Sequence, residues 1–335
     1  MKRKNAMLKA VLAAGIALSL ASASQVFAQV TTLKLAHGAT PQQAIGKGML
    51  RFAELVSTKS GGTVKVETHL SGSLYNERTS LEAVVNGSID LGGASNANWG
   101  AFTNTLLFMD LPYVFNDEES FRRAMRGAVG NEIRARFAKD GFRLLMVMDN
   151  AGFRDVVNTK RPVKVPSDIK GLKMRTTASP VEIAMMRNWG AVTTAVDWGE
   201  VYNALAQGVV DGEFVQPVWL AFAKHYEVLK YATEVKAVIG INTLAMRNDR
   251  FDKLPAAAQK ALVDAATETE AYSNKIDADM MEEGRAIAKK LGVQTYKPTP
   301  EEMKIWQSTG RAIWKEFDSK IDKTLLKLVL DAQAK

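Results

Sequence analysis

The stretch from Gly171 to Pro217, GLKMRTTASPVEIAMMRNWGAVTTAVDWGEVYNALAQGVVDGEFVQP, constrains the fold of this chain more than any other. Lys173–Thr176 reads as a short strand with Arg175 inside it. Ser179, Pro180 and Glu182 then supply a helix cap, a proline at the first helical position and the carboxylate of a capping box. Apolar residues continue to Trp189, and Gly190 supplies a left-handed stop. Ala191–Val196 returns to a strand. Asp197 and Glu200 start a second helix that Gly208 closes, and Val209-Val210 lead into a third strand ending near Phe214–Pro217. Strand, helix, strand, helix and strand at this spacing require parallel pairing with crossover helices, which places the chain in the α/β class.

Open parallel sheets bind ligands beyond the carboxyl ends of their strands. Arg175 sits there, just before a helix N-terminus with its backbone N–H groups and positive dipole end. Trp198 opens the second helix, and Phe214 and Val215 end the third strand. These residues describe a pocket for a small organic anion. They fit equally an arginine in a surface salt bridge with aromatics in the core, and this stretch alone leaves both readings open.

The chain also echoes itself. Leu81–Asp90 (LEAVVNGSID) parallels Tyr202–Asp211 (YNALAQGVVD), 121 residues later, each a helix, a glycine stop, a strand start and an aspartate. One such unit in each of two similar lobes, with a cleft between them, explains the separation. Phe142–Met148 reads as a buried strand leading to a lobe crossing at Asn150–Arg154, where Gly152 can absorb backbone change. Lys236–Ile241 carries the chain back. Pro255–Leu291 reads as one helix of thirty-seven residues, on the order of 55 Å long, enough to lie across both lobes. The expected division is lobe I at 29–151 with about 240–279, and lobe II at 152–239 with about 280–335. Each lobe is expected to be a mixed sheet flanked by helices.

Residues 1–28 have the pattern of an export leader. Lys2, Arg3, Lys4 and Lys9 precede an apolar run at Ala10–Leu20, and Val26-Phe27-Ala28 is a small-x-small type cleavage site, so the mature chain is expected to begin at Gln29, with a cut after Ala23 as the alternative. The whole chain carries 44 basic and 36 acidic residues, a net of +8. Without the leader, 40 basic residues face the same 36 acids, leaving +4. That balance, with no long basic run, gives no reason to expect nucleic acid as a partner. The absence of cysteine excludes disulfides and thiolate chemistry.

Catalytic and metal motifs are weak. His37, His69 and His225 share no metal-ligand spacing, although His37 ends the first strand where a ligand could sit. Gly46-Lys47-Gly48 lies inside a helix and lacks a third glycine, so it is a packing feature. Gly93-Ala94-Ser95-Asn96-Ala97 loosely matches a nucleophile elbow, but its last residue is not glycine. A periplasmic serine hydrolase using Ser95 is therefore an alternative with little support, and no cofactor is expected.

The segments Gly171-Leu172-Lys173-Met174-Arg175, Glu200–Leu205 (EVYNAL) and Gln207–Gly212 (QGVVDG) resemble the solute-binding proteins of TRAP (tripartite ATP-independent periplasmic) transporters, the DctP-like family. Asp110–Phe115 (DLPYVF), Gly152-Phe153-Arg154 and Arg161-Pro162 add to the resemblance, which covers essentially the whole mature chain. It implies a periplasmic two-lobe clamp that captures a small organic carboxylate and delivers it to membrane subunits. It also implies that Arg175 binds the ligand carboxylate, that Arg154 is a second contact and that Trp198 lines the site. Ser95, Asn96 and His37 fall where the first lobe contributes contacts. Glu213-Phe214-Val215-Gln216 departs from the Asn or Glu-Trp pair of many members, which points to an apolar or aromatic acid. A binding protein of an ATP-driven importer is the alternative within this class, disfavoured by the long helix.

Overall fold

The two echoed segments occupy equivalent places in a single sheet. The computed structural model describes residues 30–333, so the expected leader lies outside the described residues. The strands are β1 (Thr31–His37), β2 (Val64–His69), β3 (Leu91–Gly93), β4 (Phe142–Asn158), β5 (Lys173–Thr176), β6 (Val192–Ala195), β7 (Gly212–Val215), β8 (Tyr231–Arg247) and β9 (Gln294–Tyr296). Their order is β2-β1-β3-β8-β4-β7-β5-β6, with β9 beside β8. The parallel set β2-β1-β3 is thus mirrored by the parallel set β6-β5-β7. The helices that cross over within each set, such as Glu77–Asn86 and Pro180–Asn188, cover its faces.

Between the two sets run β4 and β8, antiparallel to each other and 17 residues long each. Sequence reading finds only the Phe142–Met148 and Lys236–Ile241 portions of them. Both continue through Asn150–Arg154, the stretch expected to cross between lobes, where their register slips between Asp149 and Phe153. At that slip Ala151 and Gly152 take φ of 57° and 77°, and Lys236 on the return strand takes φ of 48°. The left-handed region costs a non-glycine residue on the order of 1–2 kcal/mol, so Ala151 needs outside support. Asp277 supplies it, both carboxylate oxygens accepting from the Ala151 N–H at 3.0 Å.

Asp277 belongs to the helix Ala256–Lys290, whose 35 residues span about 52 Å. This spine lies against helix Ala44–Lys59 of the first set, then β4, then helix Pro217–Phe222 of the second. Gly284 permits the last contact, because a Cβ there would stand 2.7 Å from the Val218 Cα. Helix Pro300–Ala312 packs beside Pro180–Asn188, whereas the closing helix Lys323–Gln333 returns to the Glu118–Arg126 and Ala128–Lys139 helices. Those two are separated by a break at Gly127. Helix Pro217–Phe222 is followed by a single turn at His225–Glu227. Edge-to-face aromatic groups, Trp99 with Phe137 and Phe142 on one side and Trp189 with Trp306 on the other, anchor the two halves of the core. Among the described residues no helix is long and apolar enough to cross a membrane.

The hinge carboxylate has a measurable signature. Burial, reinforced by the nearby Asp149 charge, pushes Asp277 up to about 7. Between the ordinary value of 3.8 and about 7, the folded protein holds a proton that the unfolded chain has released. Stability therefore falls as pH rises through that window. Asp277→Asn is expected to remove that fall, up to about 1.4 kcal/mol per pH unit, in urea unfolding at pH 5 and pH 7. Equal slopes in the two proteins would contradict the role given to Asp277.

Candidate functional site

A cleft of about 370 Å³ opens between the mirrored halves, with the ends of β5 and β7 on one wall and Ser71–Gly72, Asn76–Arg78, Ser95 and Asn98 on the other. Arg175, Arg154, Trp198, Phe214, Val215 and Ser95 all line it. Asn96 and His37 do not, and each has a structural reason. The Asn96 amide donates to Asp110 Oδ1 at 2.6 Å and its oxygen accepts from the Ile241 N–H, tying the wall to β8. His37 is fully buried. Its Nδ1 accepts from the Ala39 N–H at 2.9 Å, so Nε2 carries the proton and donates to Asn242 Oδ1 at 2.8 Å. Burial lowers the His37 pKa, against opposing pulls from Glu77 and Asn242, and the ring stays neutral. It holds Asn242, which does reach the cleft.

Arg175 is 5% exposed and its Nε donates to the Val196 carbonyl at 3.0 Å. Its two terminal nitrogens have no protein partner among the described residues, and its guanidinium lies 6.0 Å from the Trp198 ring centre. Burial lowers the Arg175 pKa; Glu182, Glu213 and Glu77 oppose this and Arg154 adds to it. A guanidinium remains charged through such shifts.

Arg154, 4% exposed, is held from behind by Glu182, which accepts from Nη1 at 2.8 Å. Its Nε is buried without a partner, and the Phe214 ring lies 6.0 Å away. Glu182 was expected to complete a capping box. Ser179 does cap the helix, accepting from the Glu182 N–H, but the Glu182 carboxylate turns to Thr177 and Arg154 instead. Ser179 also donates to Asp110 at 2.7 Å, and burial pushes that aspartate up to about 6.

The facing wall is polar, with Gln43, Asn76, Glu77, Asn98 and Asn242 joining Ser95. Glu77 is the residue that sequence reading missed. Its Oε2 accepts from the Ser95 N–H and hydroxyl and from the Asn98 amide, at 3.2, 2.9 and 2.7 Å. The echo held the signal, since Glu77 lies 121 residues before Trp198 and both follow a helix-start residue. Those two helix-start residues meet. Asn76 caps its own helix through Oδ1 and donates through Nδ2 to Asp197 Oδ2 at 2.8 Å, across the cleft mouth. Asp197 was expected to cap the second helix but makes no such side-chain bond. Among the described residues Ser95 makes no hydrogen bond to an imidazole: its hydroxyl donates to Glu77, His37 is bonded to Asn242, and His225 is paired with Glu213 in the other half. Among the described residues no cluster of three or more acidic or histidine side chains is placed to hold a metal ion.

Residues 35–320 match the family model of DctP, the bacterial extracellular solute-binding proteins of family 7. This chain belongs to the DctP family. Its similarity to the C4-dicarboxylate-binding periplasmic protein DctP of Rhodobacter capsulatus is 30% identity over 95% of this chain and 96% of that one. The 2,3-diketo-L-gulonate-binding periplasmic protein YiaO of Escherichia coli is 29% identical over 73% of this chain and 74% of the relative. Among solved structures, a TRAP periplasmic solute-binding protein of Shewanella oneidensis with bound succinate superposes with a TM-score of 0.86 at 25% identity, covering 91% and 99% of the two chains. As a DctP-family chain this is a TRAP transporter solute-binding protein with the two-lobe clamp fold, and the importer and hydrolase alternatives fall away. Periplasmic residence follows from the family.

Proposed function

We propose that this protein captures a small, oxygen-rich organic acid, gripping its carboxylate with Arg175 and Arg154 as the lobes close. The observation that carries this reading is the pair of buried guanidiniums with unspent donors: both terminal nitrogens of Arg175 and Nε of Arg154. The terminal nitrogens of Arg175 are open to the cleft and Nε of Arg154 is buried without a partner, so an arriving carboxylate gains charge-assisted bonds from cations that the protein leaves partly unpaired. The amide and hydroxyl wall opposite asks for further ligand oxygens, as hydroxyl, keto or second carboxylate groups. An apolar or aromatic acid, the reading suggested by Phe214 and Val215, would leave the remaining hydrogen-bonding capacity of that wall unused. The C4-dicarboxylate and diketogulonate ligands of the named relatives belong to the oxygen-rich class. The role is capture and delivery to membrane subunits rather than turnover. Lobe I comprises 29–151 with about 240–279 and lobe II 152–239 with about 280–335, moving at Asp149–Phe153 and Lys236. The leader directs export and is cleaved near Ala28.

A thermal-shift screen of the mature protein against dicarboxylates, aldonates, uronates, keto acids and aromatic acids tests the reading. A ligand at a hundred times its dissociation constant adds about 2.7 kcal/mol of stability, and the hits are expected among the first four groups. Hits confined to aromatic acids would overturn the class.

The contact at the cleft mouth has its own consequence. Asn76 and Asp197 hold the lobes together without touching the arginines, so Asp197→Ala is expected to accelerate ligand release several-fold, about 0.5–1.5 kcal/mol for one exposed hydrogen bond. Stopped-flow displacement measures this, with the association rate little changed. An unaltered release rate would show that the contact does not hold the closed state.

A further inference from the structure

On the far side of β4 from the cleft lies a second cavity, about 420 Å³, between the Glu118–Lys139 helices and the spine. Four guanidiniums line it, those of Arg122, Arg126, Arg134 and Arg143, against only two carboxylates, Asp149 and Glu270. Arg122 is paired with Asp149 at 2.8 Å and Arg134 with Glu270. Arg126 and Arg143 have no carboxylate partner among the described residues. Arg143 is fixed another way: its guanidinium stacks at 4.5 Å over the buried Phe251 ring. Stacking occupies the face of the guanidinium and leaves its N–H edge free for an acceptor in its plane.

We infer that this cavity is a second anion site, separate from the ligand cleft, which takes a small divalent oxyanion of the phosphate type. Arg122 is shared by Asp149 and Glu118, 2.8 and 3.7 Å away, but Arg126 and Arg143 bring two positive charges that no carboxylate among the described residues pairs, and like charges held together are unfavourable until an anion joins them. Arginine is suited to the task because its planar fork binds phosphate oxygens two at a time. The site also adjoins the hinge. Arg122 reaches from the cavity to Asp149 on β4, and Asp149 faces the Asp277 that holds the Ala151 N–H. An anion drawing on Arg122 competes with Asp149 for it, so occupancy of the cavity bears on the strand that bends when the lobes close.

Inorganic phosphate is the probe. Calorimetry on the mature protein, at ionic strength held constant with chloride, is expected to show saturable one-to-one binding. That binding should persist in Arg175→Ala and weaken at least tenfold in the Arg126→Gln/Arg143→Gln double variant. Both replaced side chains are exposed, and circular dichroism with carboxylate binding as a second readout establishes that the double variant is folded. No saturable phosphate binding would overturn the inference. So would binding lost in Arg175→Ala and kept in the double variant, since the anion would then occupy the cleft.

Discussion

Replacing Arg175 with alanine is expected to weaken binding of the carboxylate ligand by about 2–5 kcal/mol, a loss of roughly thirty- to several-thousand-fold. The size follows from where the ligand charge would be left. The cleft walls around Arg175 are buried, Trp198 covers one side, and the other cation, Arg154, already shares its charge with Glu182. A carboxylate deprived of Arg175 keeps its desolvation cost and loses its principal partner. Arg175→Lys restores a charge but not the two parallel bonds of the fork, so it should recover only part of the loss. Titration calorimetry of the two variants checks both statements. Equal affinity in Arg175→Ala and the unaltered protein would remove Arg175 from the site.

The second large effect is on stability. Arg154 and Glu182 form an ion pair with side chains 5% and 2% exposed. Removing one partner of such a pair leaves an uncompensated buried charge and costs about 3–5 kcal/mol. Glu182→Ala is therefore expected to destabilise the free protein by that amount in urea unfolding. The Glu182→Ala/Arg154→Met double variant should be the more stable of the two, because no charge is then stranded. Saturating carboxylate ligand should also narrow the gap for Glu182→Ala, since the ligand stands in for the missing acid. A loss below about 1 kcal/mol would mean that water in the cleft, rather than Glu182, solvates Arg154.

The parts of this molecule governed by local rules were legible in the sequence. Ser179-Pro180 announces the start of a helix and Gly190 its end, and the structure has that helix at Pro180–Asn188. The length of the Pro255–Leu291 pattern announces a spine. The echo at a spacing of 121 residues announced two like halves, and the mirrored strand order gives the reason. What escaped depends on contacts across the chain. Asp197 has the sequence of a cap, yet its carboxylate accepts from Asn76 in the other half. Glu182 has the sequence of a capping box, yet a buried guanidinium is the stronger partner for its carboxylate. His37 and Asn96 sit next to cleft residues along the chain, but His37 ends β1 buried against Asn242 and Asn96 opens a short helical turn with its amide held by Asp110 and the Ile241 N–H, so both point into the interior. The continuity of β4 and β8 through the hinge was hidden because Asn150, Ala151 and Gly152 read as a turn. The left-handed backbone of Ala151 and Gly152 is indeed turn-like, and Asp277 keeps it within a strand.

The central claim is that Arg175 and Arg154 together receive the ligand carboxylate. The most direct measurement is a crystal structure of the mature protein with an acid identified by the thermal-shift screen. The account predicts one carboxylate within about 3.2 Å of both terminal nitrogens of Arg175, with the second grip from Arg154 and the remaining oxygens against the Asn76, Ser95, Asn98 and Asn242 wall. A ligand seated with its carboxylate against that wall, and Arg175 still unpartnered, would contradict it.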